Sequence, residues 1–263
     1  MDVEILHSPR EIEQMRKAGL LVWEAHQVAA RMVVPGVTTA AIDAAVEQFF
    51  ARHNAQPLFK GVPGHVPFPA ATCISINEEV VHGIPGKRKL AEGDIASIDT
   101  GCKLAGWCGD AAVTHPCGQV APKVKKLLDT TRDVLELAID LMGKKPWWSE
   151  VATEMEAFVK DAGFSVVEAF VGHGIGQKMH EKPQVPNFWN GPSGGRGDFP
   201  LVPGLVIAVE PMVNMKSKHV REQADRWTQV TADRKPSAHF EHTIAITESG
   251  TRVLTAGPNG ETW

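Results

Sequence analysis

Cysteine is scarce in this 263-residue sequence, and Cys73, Cys102, Cys108 and Cys117 show none of the paired CxxC spacing of a structural zinc site. A chain of this length buries enough apolar surface to fold without disulfides. The four are therefore read as free thiols of a reducing compartment. Long apolar runs are also lacking. No window approaches the roughly eighteen uninterrupted apolar residues of a membrane-spanning helix. The opening stretch, MDVEILHSPREIEQMRKAG, is charged and has no signal-peptide core. Basic runs are missing as well: the net charge is −4, which makes nucleic acid a poor primary partner. A cytoplasmic protein without membrane association is the expectation left by these absences.

What is present is strongly patterned. Ser8 can cap a helix, Pro9 suits its first position and Glu11 completes a capping box. Met15, Ala18, Val22, Ala25 and Ala29 then form an apolar stripe, broken by Pro35-Gly36. A second helix is expected over about 39–53. A similar pair recurs in the middle of the chain. Leu127, Val134, Ala138 and Leu141 mark a helix ended by Gly143 and Pro146, and Ser149 can cap the next. Ile42, Val46, Phe49 and Phe50 share their spacing with Val151, Met155, Phe158 and Val159, 109 residues on. Such spacing fits an internal duplication (about 8–118 and 120–255) within a single domain spanning 1–263. It also fits chance likeness between two amphipathic helices. Strands are expected over 95–100, 110–115, 205–212, 240–247 and 252–255. The segments 60–71 and 189–200 are punctuated by Pro and Gly and read as loops.

The strands contain carboxylates where a core should have none. Asp99 interrupts IASIDTG and Asp110 opens GDAAVTH. A hairpin centred on residues 104 and 105 would set the two face to face. Like charges directly opposite destabilise a sheet, and two buried carboxylates that close cannot both ionise unaided. A shared proton or a cation would resolve the conflict. Glu210 sits in the apolar run LVIAVEPM, and Glu241 in HFEHTIAIT, where alternation groups His239, Glu241, Thr243 and Ala245 on one face. One such residue is readily a strand-end carboxylate reaching water; four together are not. His173 lies in VGHGIG, His180 in KMHEKPQVP and His82 in VVHGIPG. A lone histidine is more often structural than functional. The glycines around His173 do not make a dinucleotide fingerprint, because residue 177 is Gln. Four carboxylates and one imidazole suit two divalent cations of the Mn, Fe, Co or Zn kind. Paired metals are a hydrolytic device.

In order along the chain, ILHSPREIEQMRKAG, PGVTT, CISINEEVVHGIPG, IASIDTG, CGDAAVTH, VGHGIG, HEKPQVPN, IAVEPM and SAHFEHTIAIT make the sequence similar to type I methionine aminopeptidases of the pita-bread fold. That resemblance implies an α+β architecture of two pseudo-symmetric helix-pair and strand halves sharing a curved antiparallel sheet. It implies removal of the initiator methionine ahead of a small second residue, by a hydroxide that two metals activate, with one metal holding the free α-amino group. By motif, Asp99 resembles the bidentate ligand of one metal, Asp110 and Glu241 ligands shared by both, and His173 and Glu210 ligands of the other. Glu210 also resembles the acceptor of the water's proton. His180 resembles the group that hydrogen-bonds the substrate carbonyl, and His82 one that contacts the amide on the leaving side. Cys73, Phe68, Met179 and Trp227 resemble the walls of the methionine pocket. The partners implied are N-termini of nascent polypeptides, a transient ribosome contact and no second subunit. By the same rule the chain would keep its own methionine, since Asp2 is large.

Several positions depart from the family's pattern. Tyrosine, frequent around the methionine pocket in the family, is absent from the whole chain. Val62 and Phe68 sit in that region, His239 stands where glutamine is common, and WNGPSGGRGDFP is longer than usual. None of these is an expected metal ligand. Proline-directed relatives such as prolidase and aminopeptidase P usually carry a further N-terminal domain, whereas the first helix is expected here by residue 9. A non-catalytic relative would have lost ligand positions that this sequence keeps.

Overall fold

In the computed structural model, residues 5–191 and 197–263 are described. The chain runs α1 (Pro9–Ala30), α2 (Thr39–Arg52), β1 (Gln56–Pro57), β2 (Thr72–Ile76), β3 (Glu79–Val81), β4 (Ile95–Leu104) and β5 (Trp107–Pro116). Next come α3 (Pro122–Met142), α4 (Trp148–Asp161), β6 (Ser165–Val166), β7 (Gly172–Gly174), β8 (Glu181–Val185), β9 (Val206–Val209) and β10 (Met212–Asn214). It closes with β11 (Val220–Glu222), β12 (Gln229–Thr231), β13 (Ser237–His239), β14 (His242–Thr247) and β15 (Gly250–Val253). Of the expected loop 189–200, residues 192–196 lie outside the described residues.

Helix α1 begins as its sequence dictates. The Ser8 and Glu11 side chains each bond the other's backbone amide, and Pro9 occupies the first turn. Its stripe of Met15, Ala18, Val22, Ala25 and Ala29 is fully buried. Helix α4 starts differently from expectation. It begins at Trp148, so Ser149 lies inside the first turn and does not cap it. Asp198 does so from outside: the Ser149 N–H donates to Oδ1 at 2.9 Å and its hydroxyl to Oδ2 at 2.7 Å. A carboxylate at a helix N-terminus satisfies free amides and complements the helix dipole.

Each helix pair covers its own core. Ala18 and Val22 of α1 and Ile42, Val46 and Phe50 of α2 pack with Ile74, Ile76, Ala96 and Ile98. Leu127 and Val134 of α3 and Val151, Met155 and Val159 of α4 pack with Ile207, Val209, Val213 and Ile244. All strand pairings among the described residues are antiparallel. They form the order β1-β4-β2 with β5 on β4, and β15-β14-β9-β7-β8, with two smaller sheets, β13-β10-β6 and β11-β12-β3. The halves join where β5 meets the chain from His239 to Thr243. Thr114 Oγ1 donates to the His239 carbonyl and accepts from its amide, both at 2.8 Å. The Glu241 N–H donates to the Ala112 carbonyl at 2.8 Å. Thr243 Oγ1 accepts from the Asp110 amide at 3.1 Å and donates to its carbonyl at 2.8 Å.

Two strand expectations need correction. The β4–β5 hairpin turns at Ala105 and Gly106, with φ of 49° and 91°, and pairs Leu104 with Trp107. Asp99 therefore faces Ala112, and Asp110 faces Gly101. The two carboxylates are diagonal neighbours on one face rather than directly opposed. A two-residue turn with both residues at positive φ suits the strand twist, and it moves the hairpin centre by one residue. The second correction concerns the apolar runs around Glu210 and Glu241. Each lies in a two-residue break, Glu210 and Pro211 between β9 and β10, Phe240 and Glu241 between β13 and β14. Pro211 has no amide to donate to a ladder.

Candidate metal centre and substrate cavity

The hairpin offset creates room for Asp110. A Cβ on the facing Gly101 would lie 2.7 Å from Asp110 Oδ1, so only glycine leaves space for that carboxylate. Strand alternation sends Ile98 into the helix-covered core and Asp99 to the opposite face. From the other half, the breaks release Glu210 and Glu241 from the ladders, and β7 places His173 beside them.

These residues converge. Ligand atoms of Asp110, His173 and Glu241 all lie within 4.8 Å of one another. His173 Nε2 is 3.7 Å from Glu210 Oε1, and His239 Nε2 is 3.7 Å from Glu210 Oε2. His173 Nδ1 lies 3.0 Å from the Gly174 carbonyl. A carbonyl only accepts, so Nδ1 carries the proton and the Nε2 lone pair is left for the centre. Burial first, then neighbouring charge, raises Asp99, Glu210 and Glu241 well above the usual carboxylate range, and burial pushes Asp110 up to about 8. Burial lowers His173 to about 4. Asp99 Oδ1, Asp110 Oδ1 and Glu241 Oε1 are buried without a hydrogen-bond partner. Buried polar atoms are ordinarily satisfied. A clustered set of orphaned carboxylate oxygens and an imidazole nitrogen is what divalent cations require, so the donors present fit a metal.

Every residue assigned to the site from sequence borders one cavity of about 170 Å³. Asp99, Asp110, His173, Glu210 and Glu241 form its charged end, with His82 and His180 beside them. The His173 and His180 rings meet edge to face at 4.4 Å. His82 is held at φ 61°, a sparsely populated conformation, and burial lowers its pKa to about 4. The other end is apolar: Phe68, Cys73, Met179 and Trp227, together with Phe59 and Val62. Phe68 and Trp227 pack edge to face at 5.2 Å. Trp227 also anchors the 60–71 loop, since its indole N–H donates to the Val66 carbonyl at 2.8 Å. Its ring fills the space a Cβ on Gly64 would take.

Sequence reasoning left out Phe59, Thr243 and Trp263. Phe59 ends a short apolar stretch, which carries no periodic signal. Thr243 was placed on the face of Glu241 by alternation, but its bonds to Asp110 cross 133 residues of chain. Trp263 donates from its indole to the Glu241 carbonyl at 3.1 Å, a contact no local pattern announces.

Comparison with known proteins places this geometry in a family. Residues 13–248 match the model of metallopeptidase family M24. Methionine aminopeptidase 1 of Bacillus subtilis is 44% identical over 251 residues, covering 95% of this chain and 98% of that protein. The crystal structure of methionine aminopeptidase from Thermotoga maritima superposes with a TM-score of 0.90 at 40% identity, covering 96% of this chain and 99% of that one. Prolidase from Pyrococcus furiosus shares the fold at 22% identity and a TM-score of 0.76, and this chain spans 66% of it. With buried carboxylates and an imidazole gathered at the seam of two antiparallel halves, the chain belongs to metallopeptidase family M24, and its α+β architecture is the pita-bread fold of that family.

Proposed function

We propose that this chain is a methionyl aminopeptidase, a metallo-exopeptidase that removes the N-terminal methionine from nascent proteins and peptides with a small second residue. The observation that carries this reading is the cavity itself. An apolar recess lined by Phe59, Phe68, Cys73 and Met179 shares one small cavity with the three-donor cluster, so an apolar first side chain would lie beside the hydrolytic centre. Similarity to methionine aminopeptidases over 95% of the chain supports it.

Asp99, Asp110, His173, Glu210 and Glu241 would hold two divalent cations (cobalt, manganese, iron or zinc), which supply Lewis acidity for the scissile carbonyl and make water acidic enough to attack at neutral pH. The remaining chemistry belongs to side chains. Glu210, whose carboxylate burial makes more basic than an exposed one, takes the attacking water's proton and delivers it onward to the leaving amine. His180, held neutral by burial, donates a hydrogen bond to the carbonyl oxygen as negative charge develops on it. His82 contacts the amide on the leaving side from its strained position. Phe68 and Trp227 close around the methionine side chain and exclude water from it. Nascent N-termini are the partners this chemistry requires, with transient ribosome contact and a monomeric enzyme as the accompanying expectations. Among the described residues no helix is long and apolar enough to cross a membrane. We also read 8–118 and 120–255 as copies of one unit. The paired helices have 22 and 21 residues, then 14 and 14. Ile42, Val46 and Phe50 are buried as their counterparts Val151, Met155 and Val159 are.

The test is hydrolysis of Met-Ala-Ser by metal-stripped protein given back Mn, Fe, Co or Zn, with Asp110→Ala and the peptide Ala-Pro-Ala alongside. Metal-restored methionine release is expected, reduced more than about 100-fold in Asp110→Ala, beyond what loss of a ligand's outer partner costs. Cleavage of Ala-Pro-Ala instead would move the chain to the proline-directed members of the fold.

A further inference from the structure

Glu241 lies in the break between β13 and β14, so neither its amide nor its carbonyl has a ladder partner. Buried backbone groups need partners, and both of these find one outside the sheet. The amide donates to Ala112 on β5, and the carbonyl accepts from the Trp263 indole at 3.1 Å. Trp263 is firmly seated for this. Its ring stacks on His242 at 5.0 Å and 13°, and lies 5.0 Å from the His26 ring. His26 Nε2 in turn is 2.8 Å from the Ala111 carbonyl, next to Asp110. The indole thus touches the backbone of Glu241 directly, and that of the Asp110–Ala112 segment through one imidazole. It also packs against both helix-covered cores, bridging the halves. On its outer side lies an open groove of about 630 Å³, lined by Gln27 of α1 and by Leu128 and Arg132 of α3.

We propose that Trp263 is a positioning residue for the metal centre: its indole N–H fixes the Glu241 carbonyl, and its ring closes the groove behind Glu241 and Asp110 to water. The proposal rests on the metal reading of the site. Outer partners of metal ligands typically change metal affinity or activity by about 10–100-fold when removed. An indole acting on the ligand's backbone belongs at the low end of that range. Phe at position 263 keeps an aromatic ring on His242 but has no N–H to donate.

The experiment is calorimetric titration of metal-stripped wild type, Trp263→Phe and Trp263→Ala with Mn²⁺, with melting temperatures and the kcat and KM for Met-Ala-Ser measured in parallel. Expected is a melting temperature for Trp263→Phe close to wild type, a Mn²⁺ affinity weakened about 10-fold, and a lower kcat with KM nearly unchanged. Trp263→Ala should be weaker still. Unchanged Mn²⁺ affinity in Trp263→Phe beside a wild type that binds would overturn the role of Trp263 alone. A wild type that takes up no Mn²⁺ or other divalent ion would overturn the metal reading, and this inference with it.

Discussion

Burial of Asp110 among three other carboxylates sets a pH dependence that is measurable without substrate. Its pKa in the fold is raised from 3.8 to about 8, chiefly by burial. A raised carboxyl contributes stability that is fully present below its unfolded pKa and is lost as pH rises through the folded one. Metal-stripped wild type should therefore lose stability relative to Asp110→Asn as pH climbs from about 4 to about 8, by a few kcal/mol at roughly 1.4 per unit. Urea titrations at pH 5 and pH 8 give the comparison. A wild type that gains on Asp110→Asn over that window would mean the carboxylate is stabilised in its charged form. The residues of this cluster were legible in the sequence because carboxylates inside apolar strands have no ordinary explanation. Their exact pairing was not. One residue of turn placement, Ala105-Gly106 rather than 104 and 105, decides whether Asp99 faces Asp110 or Ala112, and local pattern does not encode it. Trp263 was invisible for a related reason, since its partner Glu241 is chosen by tertiary packing.

At the scale of elements, the site depends on how closely α1 approaches β5. A Cβ on Gly109 would lie 2.8 Å from the Gly19 amide nitrogen, and one on Gly19 would lie 2.2 Å from the Leu254 carbonyl oxygen. Both neighbours are backbone, which cannot swing aside. Alanine is intrinsically better than glycine inside a helix by about 1 kcal/mol, so Gly19→Ala weighs propensity against overpacking. Overpacking costs about 1–3 kcal/mol, and more where backbone must shift. The expected outcome is net destabilisation of about 1–3 kcal/mol in urea unfolding. Because the neighbouring Thr255 holds the Thr243 amide, and Thr243 in turn holds the Asp110 backbone, a loss of Mn²⁺ affinity should accompany it. A stabilised Gly19→Ala variant would show that α1 shifts away from the Leu254–Thr255 backbone at little cost. The helices themselves were readable from capping and periodicity. Ser149 misled because it has the right chemistry two residues too late, while the real cap, Asp198, lies 49 residues away in sequence.

For the whole molecule, the proposed ligands divide between the halves. Asp99 and Asp110 come from the first, and His173, Glu210 and Glu241 from the second. Cations held there would tie the halves together, adding to the few hydrogen bonds that Thr114, Ala112 and Thr243 make across the seam. A ligand bound only by the folded state stabilises it by mass action, about 2.7 kcal/mol at a concentration one hundred times its Kd. In a protein of this size each kcal/mol moves the melting temperature by roughly 2–4 °C. Saturating Mn²⁺ should therefore raise the melting temperature of stripped wild type by about 5–10 °C. The gain should be larger at pH 8 than at pH 5, because metal replaces protons on Asp110 and its neighbours and the burden of their burial grows with pH. Asp110→Ala should respond little at either pH. An equal gain in Asp110→Ala would place the stabilising ion somewhere other than the seam, and the halves would then owe their union to packing and to those hydrogen bonds.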